Sequence, residues 1–197
     1  MRKYFRLISF VLSINLNCAT FIFYPENFEK VATNESRSEI NKKTFGINVK
    51  YKLFNDDVEE LPSPKRQNEI SKMLENFMLK SGYVSQVKSN TESAEINCDI
   101  IYTKKIYPQD GLTFLSGITL LIIPTMFSIN TIIDVSFKDK KGKLLGRYER
   151  NAESFNWLGL VFLPAMPFYF PEVEGREMHL QLISSIFKEA SLNNILK

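Results

Sequence analysis

Residues 63–82, SPKRQNEISKMLENFMLKSG, carry the strongest local signal in this 197-residue chain. Ser63 offers the hydroxyl that an N-cap needs, Pro64 suits a first helical position because its missing N–H is not required there, and Gly82 suits the residue after the last turn. Between them Ile70, Met73, Leu74, Phe77 and Met78 recur at helical spacing and form one apolar stripe. Such a stripe is core, and it needs a surface to be buried against.

The flanking sequence supplies that surface. Upstream, Phe45-Gly46-Ile47-Asn48-Val49-Lys50-Tyr51-Lys52-Leu53 alternates apolar and polar residues with period two, the mark of a half-buried strand. Downstream, Tyr83–Val87 and Glu95–Thr103 read as two more strands. Ile132–Phe137 and Leu144–Glu149 then flank Lys138-Asp139-Lys140-Lys141-Gly142-Lys143, a polar, glycine-containing hairpin turn whose lysines read as solvated, with a membrane-surface patch as the alternative. From Glu174 to Asn193, Met178, Leu182, Ile186 and Ala190 stand four apart with Ile183 and Phe187 beside them, a second amphipathic helix. The order strand, helix, two strands, hairpin, helix predicts an α+β fold: an antiparallel or mixed sheet with two amphipathic helices on one face. Residues 45–197 suffice for a single domain of this kind.

Composition agrees with a folded chain: 44% of residues are hydrophobic and 24% charged. The formal charge is +3, from 25 Lys and Arg against 22 Asp and Glu. Arg2, Lys3 and Arg6 account for the whole excess, since no acidic residue precedes Cys18, and residues 18–197 are electrically balanced. A nucleic-acid partner is therefore not expected.

Candidate catalytic chemistry is sparse. His179 falls in the predicted final helix without metal-ligand spacing around it, and Cys98 falls in a predicted strand, where a buried thiol is inert. Asp56, Asp57, Glu59 and Glu60 cluster before the first helix but lack the glycine and spacing of a calcium loop, so they read as a solvated loop favoured by the helix dipole. No phosphate-cradling glycine loop, G-x-S-x-G or H-E-x-x-H occurs. No metal or other cofactor is expected, and nothing in the motifs argues for an enzyme.

Residues 1–6, MRKYFR, are basic, and residues 7–14, LISFVLSI, are apolar, the order of a secretory signal. The segment Ile14-Asn15-Leu16-Asn17-Cys18 that follows resembles the lipobox of bacterial lipoproteins in the relaxed form found in spirochaetes. It departs from the stricter pattern at Asn15 and Asn17, where Leu and a small residue stand in that form. The resemblance implies cleavage of residues 1–17 as a signal peptide by signal peptidase II, acylation of Cys18, and an extracytoplasmic protein held by lipid at the inner or outer membrane. The same stretch, residues 4–24, also has the length of an uncleaved anchor. A cleaved, freely soluble form is the third alternative. With Cys18 acylated, Cys98 has no intrachain partner, which excludes a disulfide framework. Residues 18–44, with their polar and aperiodic portion 25–44, are expected to form a lipidated N-terminus and tether.

Two apolar stretches, 112–133 and 155–171, flank the predicted hairpin. Buried strands explain such runs. The alternative is an exposed surface for bilayer or an envelope partner, anchored by Trp157, Phe168, Tyr169 and Phe170. The functional expectation is a membrane-anchored, non-enzymatic interaction or assembly module, in layout loosely similar to small lipoprotein subunits of envelope transport machines. A small-ligand binder or enzyme with a pocket between helices and sheet is the competing expectation.

Overall fold

The segments read as strands become strands, most of them longer than their sequence signals, whereas the one read at Tyr83–Val87 is only a three-residue strand at Gln86–Lys88. A computed structural model describes residues 18–31, 44–84, 86–88, 94–159 and 171–196. In chain order its elements are β1 (Cys18–Phe23), β2 (Thr44–Asn55), β3 (Val58–Glu60), α1 (Pro64–Lys80), β4 (Gln86–Lys88), β5 (Ile96–Pro108), α2 (Asp110–Ile118), β6 (Thr125–Asp139), β7 (Leu144–Leu158) and α3 (Pro171–Leu192). The seven strands form one open sheet in the order β1-β7-β6-β5-β2-β3, with β4 also on β2. Strand β2 runs parallel to β5 and β4, and the other pairs are antiparallel. The sheet is therefore mixed and the class α+β.

Helix α1 forms as its ends dictate. The Ser63 hydroxyl accepts a hydrogen bond from the Arg66 N–H at 3.3 Å, and Gly82 takes a positive φ of 78° that a side chain would resist. Its stripe of Ile70, Leu74, Phe77 and Met78 is buried. Helix α3 buries Met178, Leu182, Ile183, Ile186, Phe187 and Ala190 in the same core. Both stripes meet one face of the sheet, where Phe45, Tyr51, Ile96, Cys98, Ile100, Tyr102, Ile133, Val135 and Phe137 project. The Phe187 ring stands edge-on to Phe45 and Phe137, with centroids 5.9 and 5.4 Å away. Each fully buried Leu or Ile here contributes roughly 1.5–3 kcal/mol. The opposite face is polar: Asp99 binds Lys138 at 2.5 Å and Asn48 at 3.2 Å, and Asp134 takes a two-pronged pair from Arg147 at 2.9 and 2.5 Å.

Two glutamine side chains hold backbone by imitating a peptide unit, one on a sheet edge and one on the segment after β1. Between the stretches paired to β4 and β3, β2 leaves Val49 and Tyr51 open, and Gln67 of α1 donates to the Val49 carbonyl at 2.6 Å and accepts from the Tyr51 N–H at 3.0 Å. Gln181 of α3 does the same for Val31, accepting from its N–H at 2.8 Å and donating to its carbonyl at 3.1 Å. A buried peptide unit left without partners is costly, so these amides fix chain segments as well as packing.

That second clamp corrects the tether expected over 18–44. Residues 18–23 are a strand paired with β7, from Cys18 opposite Leu158 to Phe23 opposite Glu153. Tyr24 and Phe28 stack at 4.5 Å and pack on the core, and Val31 is buried. Polarity and aperiodicity gave no sign of this because the partners lie more than a hundred residues away. Residues 32–43, the rest of the expected tether, lie outside the described residues.

The acidic cluster also has a definite geometry. Asp56 and Asp57 have φ of 50° and 62° and form the two-residue turn between β2 and β3, a place where Asp tolerates the left-handed region. No acidic residue lies in the first turn of α1, so the expected aid from the helix dipole is not realised.

Candidate functional site

The long apolar stretch 112–133 divides at Pro124. Beyond it the chain is β6, alternating inward apolar residues against β5 and β7, as the buried-strand reading expects. Before it the chain is α2 and the turn 119–124, and this part is exposed. Helix α2 inverts the usual amphipathic arrangement: its one buried residue is Ser116, while Phe114, Leu115 and Ile118 face outward. Phe114 is 70% exposed, and Leu120 and Ile122 in the turn are 80% and 65% exposed. No other part of the described chain concentrates large apolar side chains on the outside in this way.

The cap is held in place by local bonds rather than by burying its apolar groups. The Thr119 hydroxyl donates to the Leu115 carbonyl at 2.9 Å and accepts from the Ile123 N–H at 3.1 Å, and the Leu121 N–H reaches back to Ser116 at 2.8 Å. Thr113 and Thr125 share a hydroxyl contact of 2.9 Å that ties α2 to the start of β6. Gly159, just past β7, lies flat against the turn: a Cβ there would meet Pro124 Cβ at 2.8 Å. Leu120 and Leu121 occupy the left-handed region, with φ of 50° and 67°, which costs roughly 1–2 kcal/mol for each non-glycine residue.

The position of the cap matters as much as its surface. Thr125 pairs with Leu158, and Leu158 pairs with Cys18. The backbone at Cys18 is therefore two strands, about 10 Å, from the strand that the cap leads into, at the same end of the sheet. Trp157 is at this end too, half-buried on β7, with Ala19 and Met126 as its strand neighbours. Phe168, Tyr169 and Phe170 lie outside the described residues. Sequence patterning selected Trp157 but not Phe114, Leu120 or Ile122, although Pro124 between an apolar helix and an apolar strand marks the division.

The remaining candidates are structural. His179 lies half-buried between the rings of Phe77 and Tyr102, whose centroids are 5.7 and 5.6 Å from its own. Its Nδ1 donates to the Gly175 carbonyl at 2.5 Å, and its Nε2 accepts from the Tyr102 hydroxyl at 2.8 Å, the pattern of a neutral ring. Burial lowers its pKa from the ordinary value, partly offset by the Gly175 bond, and Lys104 lowers it further. Cys98 is fully buried in β5, and burial raises its thiol pKa well above normal, which suppresses nucleophilic chemistry. Among the described residues, no group of three or more His, Cys, Asp or Glu side chains is placed to hold a metal ion. No described helix is long and apolar enough to cross a membrane.

A cleft of about 500 Å³ opens between residues 25–29, β7 and α3. Four of its charges form two pairs: Arg150 with Glu189, and Lys188 with Glu29 at 2.9 Å. They rim the space instead of converging on a ligand.

The fold and site thus define an open mixed-sheet α+β domain with helices on one face and an exposed apolar cap at the Cys18 end. No family model matches the chain, and no curated protein matches it in sequence. Among solved structures, the chain is similar to a minor lipoprotein of Acinetobacter baumannii, with 14% identity over 77% of this chain and 94% of that one and a TM-score of 0.40. It is also similar to the PelC dodecamer of Paraburkholderia phytofirmans, at 7% identity over 86% and 94% with a TM-score of 0.30. A DUF4136 family protein of Bacteroides thetaiotaomicron gives 13% identity over 89% and 96% with a TM-score of 0.29. At these scores the likeness defines neither an activity nor a partner for this chain.

Proposed function

We propose that this protein is an envelope lipoprotein, acylated at Cys18, whose domain serves as a non-enzymatic interaction or assembly module at the membrane. The observation that carries the reading is the order of residue types in the N-terminal sequence that leads into Cys18. Residues 1–6 are basic and residues 7–14 apolar, and the lipobox-like segment that follows ends at Cys18, which lies on the edge strand β1 paired with β7. The partner contact is assigned to Trp157 on β7 together with Phe168, Tyr169 and Phe170, aromatic side chains suited to half-wet surfaces. Pairing of Arg150 with Glu189 and of Lys188 with Glu29 around the cleft beside α3 weighs against the ligand-binding alternative there.

Mass spectrometry of the protein extracted with detergent from bacterial envelopes tests the anchor. A mature N-terminus of diacylglyceryl-modified Cys18 is expected. An intact Met1, or an unmodified N-terminus, overturns the reading.

A further inference from the structure

We propose that the cap formed by α2 and the turn 119–124 is itself a membrane-docking surface, which inserts Phe114, Leu120 and Ile122 among the acyl chains of the bilayer that holds Cys18. This rests on the anchored reading above and adds a second, non-covalent contact with a defined orientation.

Four observations on the molecule converge. The exposed apolar residues are contiguous in sequence and occupy one end of the sheet. That end is the one where the chain enters from residues 1–17, basic and then apolar, so either acylation at Cys18 or an uncleaved anchor brings a bilayer to it. Residues 111–124 carry no charge, and Asp110 is the one ionised side chain of α2, so nothing on the cap must be desolvated at high cost. The opposite end of the sheet is the lysine-bearing turn after Asp139, which suits water.

The occupant is therefore lipid. The cap has no basic residues to seek anionic headgroups, and Asp56 and Asp57 lie at the same end on the β2–β3 turn. Insertion should accordingly proceed into zwitterionic bilayers and resist salt. Tethering at Cys18 raises the effective concentration of the cap at the surface, so each residue needs only a weak preference for the bilayer.

The test uses the full-length gene product, processed in cells, purified and reconstituted into phosphatidylcholine vesicles. Two single-tryptophan proteins are made in a Trp157→Phe background, Phe114→Trp on the cap and Leu144→Trp on the hairpin end; both sites are exposed, so neither change disturbs the core. Vesicles containing brominated phosphatidylcholine should quench the tryptophan at 114 and leave that at 144 bright, at low and high salt alike. Vesicle-bound protein whose tryptophan at 114 is unquenched overturns the insertion and leaves the lipoprotein reading intact. A blue-shifted but unquenched emission at 114 overturns it in favour of a second copy of the chain covering the cap. Quenching at 114 in a protein whose mass retains Met1 supports the cap while refuting acylation.

Discussion

At the hairpin end of the sheet, β6 passes into β7 through residues that all serve a turn in water. Asp139 accepts from the N–H groups of Lys141 and Lys143 at 2.8 and 2.9 Å, and Gly142 takes its φ of 79° without a side chain to resist it. At the Cys18 end, roughly 50 Å away along the fifteen residues of β6, leucines occupy the left-handed positions that glycine would fill more cheaply, and Phe114, Leu120 and Ile122 stand in the open. Both turns tie down backbone N–H groups with local hydrogen bonds. What differs is the cost each carries in water: the first loses nothing, whereas the second carries backbone strain at two leucines together with exposed apolar area that an apolar phase would cover.

That contrast can be broken most severely where the Cys18 strand is tied down. Gln181→Ala strips the buried Val31 peptide of both partners, and a stability loss of about 2–4 kcal/mol is expected in urea unfolding. A loss below about 0.5 kcal/mol would mean that residues 24–31 do not belong to the fold. Next comes the seat of the cap. Gly159→Val forces its Cβ onto Pro124 and should cost about 1–3 kcal/mol, read as a lower midpoint without a change in slope.

Between the two ends lies the shared core, which pH probes through His179. Burial holds its folded pKa below the ordinary value, so the native ring stays neutral while the unfolded chain takes up a proton near pH 6.5. Stability contributed by the neutral ring is thus complete above that value and falls as pH drops through it, with a slope of at most about 1.4 kcal/mol per unit, until the folded pKa is reached. Urea melts at pH 7.5 and 5.5 should show this slope, and His179→Gln should flatten it. The smallest effects belong to the turns themselves. Gly142→Ala should lose about 1 kcal/mol at the polar end, whereas Leu120→Gly should cost nothing or gain up to about 1 kcal/mol at the apolar end. Equal losses at both would erase the distinction drawn between them.

Much of the fold was legible because it is encoded locally. Ser63, Pro64 and Gly82 bound α1, the four-residue spacing from Met178 to Ala190 gives α3, and the hairpin turn declares itself by Gly142 and its polar neighbours. The cap was half legible: its apolar composition stood out, but composition alone does not say whether an apolar run is covered. Trp157 was selected for its aromatic character, yet a β-strand puts alternate residues on opposite faces, and its half-buried position depends on strand neighbours from β1 and β6.

By itself, the sequence determined the elements with their own periodicity and caps, the charge balance of residues 18–197, and a basic-then-apolar segment ending at Cys18. Only the tertiary structure decided that Cys18 opens a strand paired to Leu158, that Gln181 captures Val31 from 150 positions away, and that Pro124 separates a buried strand from an exposed helix. The reason is physical: periodicity and capping act within a turn or two of the chain, whereas pairing and burial depend on partners that only the folded topology brings within reach.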